Sequence, residues 1–185
     1  MASRGDGESK SGCGWSALAI LGGMLIGGIC VIGIVAAIAI PAFITFVKRS
    51  KTTEATMQLD SMFHSASNYY LMEHGDSIDT VQRCTLDPET TANTPRNYKS
   101  SLPGPLSDTL ASLNFNTSDL YCYQYEVVAP PSHCGIGPNQ PVYTFRAYGD
   151  LDADGTLSTF ELSVSSDANN DLKRDVPVRI TNELE

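Results

Sequence analysis

The chain has 185 residues, with 12 basic against 21 acidic side chains and a formal net charge of −9. That length holds one domain plus an anchor, and the acidic balance gives nucleic-acid binding no electrostatic support. The five cysteines lie at neither CxxC nor zinc-finger spacing, so the pattern excludes a metal–thiolate centre.

Residues 1–14 are polar and rich in Gly and Ser, with Arg4, Asp6, Glu8 and Lys10 nearly cancelling, a composition that predicts disorder. No charge follows from Trp15 to Val47. About 33 residues of helix span roughly 50 Å, more than the ~30 Å of bilayer hydrocarbon. Residues 15–47 are therefore predicted as a transmembrane helix, and the bilayer as a partner. Gly23 and Gly27 form a small-xxx-small pair suited to close helix packing. Pro41 removes one helical hydrogen bond and predicts a kink. The basic cluster Lys48-Arg49-Ser50-Lys51 marks the exit into water.

The helix is expected to continue over residues 48–75. Ala55, Leu59, Met62, Ala66 and Tyr69 recur at three- and four-residue steps, with Phe63 and Tyr70 widening the stripe. Gly75 is a fitting stop. Residues 76–120, with Pro88, Pro95, Pro103 and Pro105, read as a loop-rich connection holding one short helical turn between Ser107 and Leu113. Residues 121–185 carry four alternating segments: Tyr121 to Val127, Tyr143 to Ala147, Phe160 to Val164, and Val176 to Ile180. Period two with one apolar side predicts a four-stranded antiparallel sheet with one covered face, and the long helix is its natural cover. The predicted class is α+β.

The wording of the apolar stretch is itself specific. GIVAAIAIPAFITFVKRSKTTEA, residues 33–55, closely resembles the N-terminal helix of type IV pilins and type II secretion pseudopilins. The match is close from about Ile32 to Tyr70 and looser through the sheet, where GDLDADGTLSTF (149–160) is similar to a sheet segment of some deltaproteobacterial pilins. The resemblance implies a pilin-like fold and a structural subunit of a type IV pilus or type II secretion-type assembly. It implies an anchor in the bacterial inner membrane, an extracytoplasmic C-terminal domain, and incorporation in a surface filament. Its partners are then other pilin-like subunits and an inner-membrane assembly platform. A literal positive-inside count points the other way, because Lys48, Arg49 and Lys51 outnumber Arg4 and Lys10. The chain also departs from the prepilin junction. Ala19 and Ile20 stand where glycine and phenylalanine or methionine are expected, and Met24 takes the glutamate's place, which predicts retention without cleavage. The alternative function is a stand-alone, membrane-tethered extracytoplasmic binding domain.

Asp150-Leu151-Asp152-Ala153-Asp154-Gly155-Thr156-Leu157-Ser158-Thr159-Phe160-Glu161 fits a calcium-loop pattern. The candidate ligands are Asp150, Asp152, Asp154, the Thr156 carbonyl and Ser158, with Ca²⁺ as the implied ion. Both flanks read as strands, and Glu161 has opposite parity to Phe160 and Leu162, so it faces away from the core and closes the sphere poorly. The competing reading is a plain hairpin turn at Ala153-Asp154-Gly155. Calcium sites also occur near the C-terminal loops of major pseudopilins. Asp167, Asn169, Asp171 and Asp175 read as a solvated hairpin loop. His64, His74 and His133 lack ligand spacing, and no side chain stands in a catalytic context, so no enzyme is expected. Cys84, Cys122 and Cys134 in an exported domain suit one disulfide and one free thiol. Cys122–Cys134 closes the shortest loop and is the expected pair, with Cys84 free.

Overall fold

The computed structural model describes residues 13–74, 82–130 and 134–184. The chain divides into two units, residues 1–46 and 47–185. Helix α1 (Cys13–Leu71) passes through Pro41, and the Thr45 hydroxyl donates to the Pro41 carbonyl at 3.0 Å. In the first unit the large apolar side chains described from Met24 to Phe46 are exposed. Within α1 lies a stretch long and apolar enough to cross a membrane.

In the second unit the same helix turns amphipathic. Ala55, Leu59, Met62, Ala66 and Tyr70 are fully buried in the core, while Phe63 and Tyr69 are partly buried against it. The predicted stripe is thus present, and its last fully buried position is Tyr70. Burying side chains such as Leu59 or Met62 stabilises the fold by roughly 1.5–3 kcal/mol each. α1 ends at Leu71, where the Met72 amide donates to the Asn68 and Tyr69 carbonyls. β1 (Glu73–His74) then pairs with β2 (Gln82–Arg83). Gly75, the expected stop, lies outside the described residues, as do residues 1–12 of the polar start and His133.

The connecting region supplies β3 (Glu89–Thr90), β4 (Ser100–Ser101) and α2 (Asp108–Ser112). α2 is the expected short turn, capped by the Ser107 hydroxyl, which accepts from the Leu110 amide at 3.2 Å. β5 (Leu120–Tyr121), β6 (Gln124–Val128), β7 (Pro141–Gly149), β8 (Ser158–Ser166), β9 (Leu172–Arg174) and β10 (Arg179–Thr181) follow. The main sheet is antiparallel in the order β10-β8-β7-β6-β3, with β9 also on β8. Tyr143, Phe145 and Ala147 on β7 and Phe160, Leu162 and Val164 on β8 are buried together with the helix stripe, as their alternation predicts.

The sheet differs from the expected four strands at two places. The first segment breaks at Cys122 and Tyr123. The Cys122 amide donates to the Glu54 carboxylate of α1 at 2.8 Å, and its carbonyl accepts from the Arg96 amide at 3.1 Å. Those bonds take the place of a ladder, so β5 pairs instead with β4, and Tyr121, Cys122 and Tyr123 are buried in succession. The fourth segment, Val176 to Ile180, is strand only at its end, in β10, and the short β9 lies before it. β9 pairs with Val164–Ser166 and β10 with Thr159–Glu161, and between them Pro177 has no amide to donate. Val176 and Ile180 are exposed, and only Val178 packs against the core.

Candidate functional site

Residues 150–157 join β7 to β8. At the end of β7, a Cβ added to Gly149 would lie 2.4 Å from Tyr123 Cε1 and 2.7 Å from Ser158 Oγ, so the Tyr123 ring rests on bare backbone. Leu151 is buried and pins the turn to the core. Ala153 (φ 63°) and Gly155 (φ 89°) both adopt left-handed backbone and reverse the chain. This brings carboxylate oxygens of Asp150, Asp152 and Asp154 within 4.8 Å of one another.

The three acids have different surroundings. Asp152 pairs with the Lys48 ammonium at 2.8 Å. Asp154 Oδ1 accepts from the Thr156 amide at 2.7 Å. Asp150 Oδ1 is buried and has no hydrogen-bond donor among the described residues. Ser158 is fully buried, and its hydroxyl donates inward to the Gly149 carbonyl at 3.3 Å. Of the side chains expected to hold an ion, the three carboxylates therefore converge, and Ser158 is committed elsewhere. Glu161 lies in an outer-face network, accepting from Arg146 Nε at 2.8 Å, while Arg146 Nη1 reaches Glu126 at 3.3 Å and the Tyr148 hydroxyl donates to Glu126 at 2.7 Å. It does not reach back to the turn as the twelfth residue of a calcium loop does.

The disulfide joins Cys84 to Cys134, with an S–S distance of 2.04 Å and Cα atoms 4.0 Å apart. This corrects the expected Cys122–Cys134 pair and the expected free thiol at Cys84. Cys84 and Cys134 face each other in an isolated antiparallel bridge, next to a Gly135 amide to Arg83 carbonyl bond of 3.1 Å. Cys122 is instead drawn into the core by the Glu54 carboxylate. Burial pushes its thiol pKa up, and the Glu54 charge raises it further. A buried, protonated thiol is no nucleophile.

The second acidic cluster is a structural turn. Asp167 Oδ1 accepts from the amides of Asn169 (2.8 Å) and Asp171 (2.9 Å), and Asp171 pairs with Arg83 at 2.9 Å. The Tyr70 hydroxyl at the end of α1 donates to Asn170 Oδ1 at 3.0 Å. His64 is exposed and meets Phe63 edge-on, 5.4 Å between ring centroids.

Two residues with defined roles carry no signature in the sequence. Lys48 and Glu54 look like ordinary surface charges of a helix, yet one partners the acidic turn, and the other holds the Cys122 amide and pairs with Lys99 at 2.9 Å. The only cue to Glu54 is a lone acid next to the buried Ala55. No known family model, curated protein or solved structure matches this chain.

Proposed function

We propose that this protein is a pilin-like structural subunit of a type IV pilus or type II secretion-type assembly. It is anchored in the bacterial inner membrane with its C-terminal domain outside the cytoplasm, and acts by packing its helix against those of other pilin-like subunits at an assembly platform. The observation that carries the reading is the surface of α1. Large apolar side chains from Met24 to Phe46 are exposed by between 52% at Ile44 and 74% at Met24, on all sides of the helix. Farther along, the same helix forms the apolar layer of the domain core. Such a surface needs hydrocarbon or other helices around it. Nothing lies within 4 Å of a Cβ added at Gly23 or Gly27, which leaves room for a close neighbour.

The test is disulfide crosslinking in membranes. Two cysteines per chain on different faces of the helix, Ile34→Cys together with Ile40→Cys, in a chain with Cys13 and Cys30 replaced by serine, should give an ordered ladder of multimers under oxidation. A tethered monomer yields no ladder, and that result refutes assembly.

A second reading, calcium binding at the turn between β7 and β8, is favoured by the convergence of Asp150, Asp152 and Asp154 and by the buried, donor-free Asp150 oxygen. It is compatible with the first and is tested by calcium-dependent melting.

A further inference from the structure

The turn between α2 and β5 carries Asn116-Thr117-Ser118. Of the nine asparagines in the chain, only Asn116 has a serine or threonine two residues later, and the residue between is not proline. That triplet is the acceptor pattern for an N-linked sugar in an exported protein, where it has to lie on the surface. Triplets of this kind are common by chance, so the setting decides. Phe115 and Tyr121, on either side, are buried in the core with ring centroids 5.6 Å apart. Between them residues 116–120 are exposed in succession. The Asp119 amide donates to the Asn116 carbonyl at 3.2 Å and closes the turn, and the Asn116 amide donates to the Tyr121 hydroxyl at 3.3 Å. The triplet is therefore presented on a short loop whose two ends are fixed by the core.

The Asn116 side chain is held at one end only. Its Oδ1 accepts from the Ser118 amide at 3.0 Å, the local turn that asparagine favours. Its Nδ2 makes no hydrogen bond among the described residues and is the uncommitted end of an exposed side chain. Ser118, the third member of the pattern, is exposed beside it. A sugar on Nδ2 leaves Oδ1 its bond to the Ser118 amide, so the turn survives the modification.

We propose that Asn116 is the attachment site of an N-linked glycan. The donor is a sugar chain carried on a lipid diphosphate, and the catalyst is a membrane-bound transferase. Nδ2 forms a bond to the anomeric carbon, and the bond from that carbon to the phosphate oxygen breaks. The lipid diphosphate leaves with the electron pair, and one Nδ2 proton passes to a base of the transferase. The modification rests on the extracytoplasmic placement of the domain in the reading above and is independent of assembly into a filament.

The test is peptide mapping by mass spectrometry of the full chain, purified from membranes of the cells that make it naturally. The expected result is a sugar mass increment that fragmentation assigns to Asn116. Asn116→Asp keeps Oδ1 and the turn but lacks the amide nitrogen, and Ser118→Ala keeps the backbone amide but lacks the hydroxyl. Both should lose the increment, whereas Ser118→Thr and Thr117→Ala should retain it. The Cys84–Cys134 disulfide, mapped in the same digest, reports export. A bare Asn116 with the disulfide formed overturns the glycan and leaves the extracytoplasmic placement standing. A bare Asn116 with both thiols free overturns that placement and the glycan with it. Sugar on Thr117 or Ser118, or an increment that persists in Asn116→Asp, overturns the site.

Discussion

Replacing Cys84 by serine should weaken the domain almost as much as replacing Cys134, and both should match the double replacement. The disulfide spans 50 residues. In the chain-entropy treatment, closing a loop of that length removes about 14 cal/mol/K from the unfolded chain, or about 4 kcal/mol at 25 °C. Natural domains hold ~5–15 kcal/mol in total, so the loss is a large share. With a urea dependence of ~2 kcal/mol per M, the denaturation midpoint of the detergent-solubilised chain, followed by near-ultraviolet dichroism of its tyrosine-rich core, should fall by about 2 M. Cys122 supplies the contrast. It is fully buried and unbonded, so Cys122→Ala leaves only a small cavity, costing ~1 kcal/mol and about 0.5 M. Were Cys122 the partner of Cys134, the order would invert. A loop of 12 residues contributes about 3 kcal/mol, Cys122→Ala would show that loss, and Cys84→Ser would be silent. A Cys84→Ser midpoint equal to that of the parent refutes the pairing and the argument built on it.

Gly149→Ala should destabilise by ~1–3 kcal/mol, because its Cβ meets a fully buried Tyr123 ring at 2.4 Å; Gly137→Ala, with nothing within 4 Å, serves as the control, and equal thermal melts refute the close approach. The amides of Asp171 and then Asn169 hold the Asp167 carboxyl below its ordinary pKa of 3.8. Its stabilising effect is complete above the unfolded-state pKa and is lost as pH falls through the lower folded value, so Asp167→Asn should lower stability at neutral pH, leave stability below the folded value nearly unchanged, and so flatten the acid limb of a stability–pH profile. For the calcium reading, the ion at a hundredfold excess over its dissociation constant should add about 2.7 kcal/mol. That gain should vanish in Asp150→Asn and persist in Glu161→Gln, and identical melts in calcium and in chelator remove the reading.

What was legible in this sequence is what depends on local period. The steps of three and four from Ala55 to Ala66 place one helix face in the core, and the parity of Phe145, Phe160 and Leu162 places one sheet face against it. The short helical turn expected between Ser107 and Leu113 is α2, capped by Ser107. The failures share a different cause. Tyr121 to Val127 alternates as a strand should, but a carboxylate 68 residues earlier captures the Cys122 amide, and period two carries no trace of that. The disulfide fails for the same reason. Loop length favours Cys122–Cys134, whereas the pairing is decided by where residues 82–84 meet residues 134–135, a contact reinforced by Arg83 reaching across to Asp171. The fourth strand is the intermediate case. The alternation from Val176 to Ile180 was legible, but Pro177 has no amide to donate, and of that stretch only the end, in β10, pairs with β8, leaving Val176 exposed.

The acidic turn shows how far the same parity argument reaches. Parity sets Glu161 opposite Phe160, and the Arg146 network occupies it there. Applied to Ser158, which shares parity with Phe160 and Leu162, it places that hydroxyl on the inner face, where it is fully buried and bonded to the Gly149 carbonyl. Ser158 could thus have been set aside as a ligand by the reasoning that set aside Glu161. Three carboxylates then remain, one of them already neutralised by Lys48, whose place 104 residues earlier no loop pattern reveals. Calcium takes six to eight oxygens, so backbone carbonyls and water have to complete the shell, and the ion has to compete with an ammonium group for Asp152. Fewer protein charges and a resident cation both lower affinity, which puts the expected dissociation constant in the weak range of extracellular modules, about 10⁻⁴–10⁻³ M. Melting experiments at micromolar calcium are therefore blind to this site, and the decisive comparison is between chelator and about 10–100 mM calcium, a hundredfold excess over such a constant.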